Sequence, residues 1–281
     1  MPFSPQKNIL IDGKHNKPIL LDVFISNEKN QHTLIYCHGF KGFKDWGTFN
    51  LLAEFFAKNG VNCIKFNFSH NGSTPQQPEE LTDLDAFGNN NFTKELDDLE
   101  CVLDWMDTQN EFPEINSSNN ITVMGHSRGS GTAIVKASED NRIDKVISFA
   151  GVSNFSARFI DEKTYNYWKS TGVIHVENTR TKQKLPLYYQ IAEDIYKNPK
   201  RLDIERAAKA LNKPHLIIHG TQDAAVPLEE AIAVNNWSEK SELKIIEGAD
   251  HVFNVKHPWN EKSLPETYLN ILKDCLKFIK D

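Results

Sequence analysis

The chain has 281 residues, 39% of them hydrophobic and 25% charged, which suffices for a large core and excludes a disordered or collagen-like protein. It carries 38 acidic and 32 basic side chains, and this formal net charge of −6 argues against a nucleic-acid partner or an anionic-membrane partner. The length corresponds to about 1.9 average domains, so one enlarged domain and two ordinary domains are both open.

The first predicted element is a hairpin over residues 9–26, in which Asp12-Gly13 supplies the turn. After it, short runs rich in Ile, Val and Phe alternate with helical patterns. Such near-continuous apolar runs are typical of parallel strands that are buried on both faces. The alternation predicts an α/β doubly wound fold. The runs span residues 33–39, 61–68, 121–127, 145–151, 215–220 and 243–248.

Two helices are predicted from their apolar periodicity. Residues 93–108 repeat apolar side chains at about 3.6-residue spacing and should bury one stripe. The last helix is predicted to begin with a capping box from Ser263 to Glu266, with a proline inside the first turn. Its buried side is predicted to comprise Tyr268, Ile271, Leu272, Cys275 and Ile279.

One interval, residues 154–205, interrupts the alternation of strands and helices. It holds five of the seven tyrosines, so it is too aromatic for a disordered linker and too long for a plain loop. We interpret it as an inserted lid, or cap, over the carboxyl edge of the sheet. The predicted core then consists of residues 1–153 and 206–281.

The strongest local signal is the pentapeptide Gly125-His126-Ser127-Arg128-Gly129, placed between a predicted strand and a helix-compatible stretch. A serine on such a sharp turn has an unfavourable backbone conformation, and glycines two residues away on either side relieve the crowding. The turn lifts the hydroxyl above the sheet, which makes Ser127 the candidate nucleophile. The alternative is a plain strand–helix junction whose glycines serve packing.

A serine hydroxyl needs a base, and in this architecture the order along the chain is Ser, then Asp or Glu, then His. Asp223 and His251 each follow a predicted strand, where the active sites of α/β proteins collect. We expect His251 to be the base and Asp223 to orient it. Asp250 is a rival acid that we expect to cap a turn. The rival histidines, expected to be structural, are His38, His70, His126 and His219.

Acyl transfer also requires hydrogen-bond donors for the oxygen of the tetrahedral intermediate. The backbone N–H of Arg128, directly after the nucleophile, is one candidate. The loop His38-Gly39-Phe40 after the third predicted strand supplies the other, the N–H of Phe40, while Gly39 lets the backbone approach closely. A simple turn at the end of the strand is the alternative interpretation of this loop.

Four motifs, H-G-F-x-G, G-H-S-x-G, H-G-T-x-D and E-G-A-D-H, occur in this order and resemble the α/β-hydrolase superfamily over residues 18–281. Within it the chain most resembles small bacterial carboxylesterases of the feruloyl/cinnamoyl-esterase type, related to serine aminopeptidase-like and S9-peptidase-like hydrolases. The resemblance implies a mostly parallel eight-stranded sheet with helices on both faces. It also implies a Ser127–Asp223–His251 triad that uses no metal and no cofactor.

The esterase branch of this superfamily carries an inserted lid at the position of residues 154–205. Residues 187–192, with the sequence Leu-Tyr-Tyr-Gln-Ile-Ala, resemble the aromatic segment of that lid. On this resemblance Trp168 and Tyr188 are expected to line the substrate pocket. The rest of the lid matches poorly, so the identity of the substrate does not carry over.

No stretch of signal-peptide length and no run of about 18 apolar residues occurs, so neither a signal peptide nor a membrane span is predicted. The cysteines lack the spacing of a zinc site or a disulfide framework, which leads us to expect reduced thiols and a cytoplasmic protein. These cysteines are Cys37, Cys63, Cys101 and Cys275.

The function expected from these features is a serine carboxylic-ester hydrolase that forms an acyl-enzyme on a small or aromatic acyl ester. Its partner would be a small-molecule ester, and a monomer and a homodimer are both open. Three alternatives also stay open: a serine peptidase or aminopeptidase-like hydrolase, a thioesterase or acyltransferase, and a binding protein with the hydrolase fold.

Overall fold

A computed structural model describes residues 5–28, 32–116, 118, 120–158 and 161–281. Within these residues, eight strands form the main sheet and two further strands form a small separate sheet. The strands are β1 (Gln6–Ile11), β2 (Ile19–Phe24), β3 (His32–Cys37), β4 (Asn62–Asn67), β5 (Asn120–His126), β6 (Ile143–Phe149), β7 (Val173–Glu177), β8 (Lys184–Tyr188), β9 (His215–Gly220) and β10 (Ser241–Ile246).

Helices connect most of these strands. They are α1 (Phe49–Lys58), α2 (Leu84–Gly88), α3 (Phe92–Thr108), α4 (Arg128–Glu139), α5 (Glu162–Thr171), α6 (Gln190–Lys197), α7 (Ile204–Ala210), α8 (Leu228–Trp237) and α9 (Glu266–Lys280), with one turn of 3-10 helix at Ser156–Arg158.

The main sheet has the strand order β1-β2-β4-β3-β5-β6-β9-β10. The pair β1–β2 is antiparallel, as the predicted hairpin requires, and β2 also runs antiparallel to β4. From β4 to β10 all neighbouring strands are parallel, so their carboxyl ends meet at one edge. The six predicted apolar runs coincide with β3, β4, β5, β6, β9 and β10, which confirms the predicted fold class.

Two apolar clusters cover the two faces of the sheet. Alternate residues of β3 illustrate the division: Ile35 and Cys37 belong to the cluster with α3, α4, α7 and α8, whereas Leu34 and Tyr36 belong to the cluster with α1 and α9. Successive side chains of a strand point to opposite faces, and here both faces are covered by helices. This burial explains why the sequence runs are almost continuously apolar.

The last helix, α9, buries the predicted stripe of five residues, but the predicted capping box at its start is wrong. The helix begins at Glu266, and Pro265 is the N-cap residue with an extended ψ of 147°. A residue before proline is disfavoured in the helical region, so Leu264 cannot begin the helix. The Ser263 carbonyl instead accepts a hydrogen bond from the Trp259 indole, at 3.1 Å.

The segment predicted as a lid forms α5, the antiparallel pair β7–β8 and α6, outside the main sheet. Residues 159 and 160 of this segment lie outside the described residues. Helix α7 starts at Ile204, inside the predicted interval, and its Ala207 and Ala208 already pack in the core of the main sheet. The boundary drawn at residue 206 therefore falls just inside the first turn of a core helix.

The four cysteines are free thiols, and Cys101 is the least buried of them. Among the helices of the described chain, none has both the length and the apolar character that a bilayer crossing demands.

Candidate active site

Ser127 lies on the sharp turn between β5 and α4, with φ at +56° and ψ at −120°. This left-handed conformation is costly for a residue with a side chain and persists only where the surroundings impose it. A Cβ atom at Gly125 would lie 2.2 Å from the Gly129 carbonyl oxygen, and one at Gly129 would lie 2.5 Å from the Cys37 carbonyl oxygen. Both glycines of the predicted pentapeptide are therefore sterically required.

His251 and Asp223 come together from the loops that follow β10 and β9. The Nδ1 atom of His251 lies 2.8 Å from Oδ2 of Asp223, whose side chain has no solvent exposure. The other oxygen, Oδ1, accepts the backbone N–H groups of Ala225 and Val226, each at 2.8 Å. Asp223 thus fills two roles with two oxygens: it caps its own turn and it holds His251.

The charge of Asp223 is stabilised by its neighbours. Burial alone would raise the pKa of this carboxyl, but hydrogen bonds from His219, His251 and the Val226 N–H hold the pKa well below its ordinary value. His219 is fully buried on β9, with Nε2 at 2.8 Å from the Val226 carbonyl oxygen and 3.3 Å from Asp223 Oδ2. An anionic Asp223 can stabilise a protonated imidazole beside it.

The rival residues have other partners. Oδ1 of Asp250 accepts the N–H groups of Val252 and Asn254 at 3.0 and 2.8 Å, so Asp250 caps a turn as predicted. His126 bonds through Nε2 to the His251 carbonyl oxygen at 2.9 Å, and burial lowers its pKa to about 3. A ring of such low basicity accepts a proton poorly, and this one instead helps to position the backbone of His251.

His38 and His70 are also excluded as the base by their surroundings. His38 bonds to the Gly39 carbonyl oxygen through Nδ1 and accepts the Phe68 N–H through Nε2, at 2.9 and 3.3 Å. His70 lies 2.8 Å from the Ser69 hydroxyl. Burial lowers the pKa of each ring to about 4. Of the histidines weighed from the sequence, His251 is the one that shares a cavity wall with Ser127 and contacts a carboxylate there.

The loop after β3 packs against Ser127. A Cβ atom at Gly39 would lie 3.0 Å from Cβ of Ser127, so this close approach requires glycine. The next residue, Phe40, lines the two cavities that border Ser127, and Arg128 lines one of these two. The structure therefore places Phe40 and Arg128, the two residues predicted to supply the oxyanion donors, beside Ser127.

Four buried charges anchor this loop to the sheet, and the sequence did not reveal them. Nζ of Lys65 on β4 lies 2.6 Å from both Asp22 on β2 and Asp45 on the loop, while Nζ of Lys44 lies 2.8 Å from Asp22 and 2.5 Å from Asp45. None of the four residues is more than 8% exposed. We call this set, Asp22, Lys44, Asp45 and Lys65, the buried ion cluster.

The Arg128 side chain forms part of the cavity wall. Its guanidinium bonds to the buried Glu95 of α3 and lies 4.9 Å from the centre of the Phe40 ring and 5.5 Å from that of Phe92. Phe92 in turn stacks on Phe155, with ring centres 4.2 Å apart. The Arg128 guanidinium is thus paired with a carboxylate and covered by aromatic rings, and its role in the cavity wall is structural.

Two cavities meet at Ser127 and His251. The larger, about 530 Å³, lies between the sheet and the segment containing β7 and β8, and the smaller, about 350 Å³, lies over the loop after β3. Apolar side chains dominate the wall of the larger cavity: Phe92, Phe155, Ile174, Val176, Leu187 and Ile191. Polar and aromatic side chains dominate the smaller one: Lys41, Trp46, His126, Asn178, Arg180 and His257.

The predicted pocket residues Trp168 and Tyr188 line neither cavity, so that prediction is wrong. Trp168 is buried within the segment predicted as a lid, where its indole N–H bonds to the Leu187 carbonyl oxygen at 2.8 Å. The Tyr188 hydroxyl bonds to Asp85 of α2 at 3.1 Å and so connects this segment to α2. Successive residues of a strand face opposite sides, so Leu187 faces the cavity and Tyr188 faces away from it.

No group of three or more His, Cys, Asp or Glu side chains is arranged to hold a metal ion in the part of the chain that the structure describes.

The sequence model of the BD-FAE family matches residues 83–238, more than half of the chain. Similar solved structures include Est1E from Butyrivibrio proteoclasticus with bound ferulic acid, at a TM-score of 0.74 and 18% identity over 97% of this chain and 98% of that one. The α/β hydrolase GrgF from Penicillium sp. sh18 has a TM-score of 0.71 and 16% identity over 100% and 98%. A search of curated proteins gives no match. The structural likenesses show the α/β-hydrolase fold.

Proposed function

The chain belongs to the BD-FAE family, an esterase family of α/β-hydrolase fold, and from this we propose that it is a serine carboxylic-ester hydrolase that works through an acyl-enzyme intermediate. The observation that carries the proposal is the convergence of the strained Ser127, the 2.8 Å bond between His251 and Asp223, and the cavity wall that Ser127 and His251 share. A nucleophile, a base and an orienting acid are the parts that acyl transfer requires.

In the proposed reaction, Ser127 Oγ attacks the carbonyl carbon of the ester while Nε2 of His251 accepts the hydroxyl proton. The oxygen of the tetrahedral intermediate accepts hydrogen bonds from the N–H groups of Phe40 and Arg128. His251 then donates its proton to the alcohol oxygen as the ester C–O bond breaks. Water then attacks the acyl carbon while His251 accepts a proton from it, and His251 returns this proton to Ser127 Oγ as the acyl C–O bond breaks and the acid departs.

The larger cavity supports an apolar or aromatic acyl group. Its walls include Phe40, Phe92 and Phe155, and a volume of about 530 Å³ accommodates an aromatic acid. The solved structure of Est1E holds ferulic acid, which is an aromatic acid of this kind. We therefore assign the acyl part of the substrate to this cavity.

The site favours ester hydrolysis over an aminopeptidase reaction. Among the described residues, no Asp or Glu side chain lines either cavity. The free ammonium group of an aminopeptidase substrate would therefore lose its hydration without gaining a carboxylate partner.

For the location of the protein, the four free thiols fit a reducing compartment, and we place it in the cytoplasm.

A matched set of chromogenic substrates tests the proposal. We expect hydrolysis of 4-nitrophenyl butyrate and 4-nitrophenyl 3-phenylpropanoate, and no measurable hydrolysis of butyryl 4-nitroanilide or alanine 4-nitroanilide. The ester and anilide of butyrate share the acyl group and differ in the bond that breaks, so the comparison isolates the reaction class. Faster cleavage of either anilide than of the esters would instead establish a peptidase.

A further inference from the structure

The charges around the smaller cavity are one-sided. The chain as a whole has more acidic than basic side chains, 38 against 32, yet among the described residues no carboxylate lines this cavity. Two cations do: Lys41 from the loop after β3, which also borders the larger cavity, and Arg180 from the turn between β7 and β8, which lines the smaller cavity alone of the two. A cleft with walls of one charge concentrates ligands of the opposite charge.

Among the described residues, no carboxylate lies within ion-pair distance of Lys41. Its Nζ donates to the backbone carbonyl of Glu177 at 3.3 Å and lies 5.6 Å from the centre of the Phe40 ring. The side chain is half-buried, and this burial lowers the pKa of the ammonium group. A partly desolvated cation that lacks an anionic partner is costly in a folded protein. An anionic ligand in the cavity would supply the missing partner.

Arg180 has one long ion pair and one ring contact among the described residues. Its Nη1 lies 3.7 Å from Oε1 of Glu80, with the two side chains 31% and 52% exposed, and its guanidinium carbon lies 5.9 Å from the centre of the Phe43 ring. Such a long, exposed ion pair contributes little to stability. The guanidinium can therefore turn its paired N–H groups to a carboxylate on the substrate, a geometry that favours two parallel hydrogen bonds.

We infer that the smaller cavity binds the alcohol part of the substrate, and that this alcohol carries an anionic group, such as a carboxylate, which Lys41 and Arg180 bind. The inference rests on the proposed esterase function and specifies its substrate class as esters of hydroxy acids. The larger, apolar cavity is assigned to the acyl group, so the alcohol faces the smaller cavity. His251 lines this cavity too and can protonate the departing oxygen.

The test compares two esters that differ in one charge: the butyrate ester of 3-hydroxybenzoic acid and that of 3-hydroxybenzamide. Rates are divided by those of alkaline hydrolysis to remove differences in intrinsic reactivity. We expect kcat/KM to favour the carboxylate ester by about tenfold, the effect of one good charge pair of about 1.4 kcal/mol. The preference should shrink in about 1 M salt, where the Debye length falls to about 3 Å.

Variants of the two cations test whether they cause the preference for the carboxylate ester. Lys41→Gln and Arg180→Gln are each expected to reduce the ratio of the two kcat/KM values severalfold. Lys182→Gln is the matched control: it removes a positive charge from the same turn as Arg180, but its side chain is 74% exposed and does not line the cavity. We expect Lys182→Gln to keep the wild-type ratio. An equal drop in all three variants would indicate general charge attraction and overturn the assigned site.

The remaining outcomes separate this inference from the proposed function. Suppose that 4-nitrophenyl butyrate is hydrolysed, but the butyrate esters of 3-hydroxybenzoic acid and 3-hydroxybenzamide react equally or not at all. The inference is then wrong and the esterase proposal stands. If 4-nitrophenyl butyrate itself is not hydrolysed, the proposed function fails.

A further pair of esters places the charge at the acyl end of the substrate: the 4-nitrophenyl monoester of adipic acid and 4-nitrophenyl hexanoate. A preference for the adipate would overturn the assignment of the two cavities.

Discussion

Replacement of Ser127 by alanine is expected to lower kcat for 4-nitrophenyl butyrate by a factor of about 10⁴ to 10⁶, as loss of the nucleophile does in other Ser-His-Asp sites. The substitution removes the one oxygen that forms the acyl bond and leaves His251 and Asp223 in place. The strained backbone at φ +56° does not depend on the hydroxyl, so the fold should persist. Steady-state kinetics with the purified variant measure the loss.

Ser130→Ala is the matched control for this experiment. Ser130 lies one turn further along α4, is fully buried, and its hydroxyl finds no hydrogen-bond partner among the described residues. Removal of an unsatisfied hydroxyl should leave activity near the wild-type value and stability unchanged or improved. Undiminished turnover in Ser127→Ala would contradict the assignment of the nucleophile, and an equal loss in both variants would point to damage to α4.

Replacement of Lys65 by methionine is expected to reduce the free energy of unfolding by about 3–5 kcal/mol, because it leaves an uncompensated charge in the interior. In the buried ion cluster, Lys44 alone would then face both Asp22 and Asp45. The nearby cations Lys65 and Lys44 hold the pKa of the Asp45 carboxyl well below its ordinary value against the opposing effect of burial, so this carboxyl is charged at neutral pH. Urea unfolding monitored by circular dichroism measures the change.

A double variant separates charge imbalance from lost packing. Lys65→Met combined with Asp22→Asn leaves one cation, Lys44, facing one anion, Asp45. We expect this double variant to be more stable than Lys65→Met alone, since the excess negative charge is gone. Simple additivity of the two single substitutions would show that the four charges do not act as a unit.

The positions of Ser127, Asp223 and His251 could be predicted from the sequence because each is marked by the apolar strand before it. Ser127 directly follows β5, and Asp223 and His251 lie in the loops after β9 and β10. In a parallel sheet the carboxyl ends of such strands meet at one edge. Residues that follow such strands in the sequence therefore lie close together in the fold, and the structure places Ser127, Asp223 and His251 at this edge.

The walls of the site could not be predicted because they depend on register and on distant pairings. Whether Leu187 or Tyr188 faces the cavity depends on how β8 pairs with β7, and an aromatic motif does not determine that pairing. Lys65 lies within an apolar run, and its partner Asp22 is 43 residues away in the sequence. The residues adjacent to either of them therefore do not indicate a buried ion pair. Arg180 and Lys41 likewise meet at one cavity only in the folded chain.

The proposed reaction depends above all on Ser127 as the nucleophile. Reaction with a fluorophosphonate, followed by intact-mass measurement and peptide mapping, tests this role, because the reagent forms a stable bond with an activated serine. We expect one adduct per chain, located on Ser127, and none in Ser127→Ala. An adduct on another residue, or full labelling of Ser127→Ala, would contradict it.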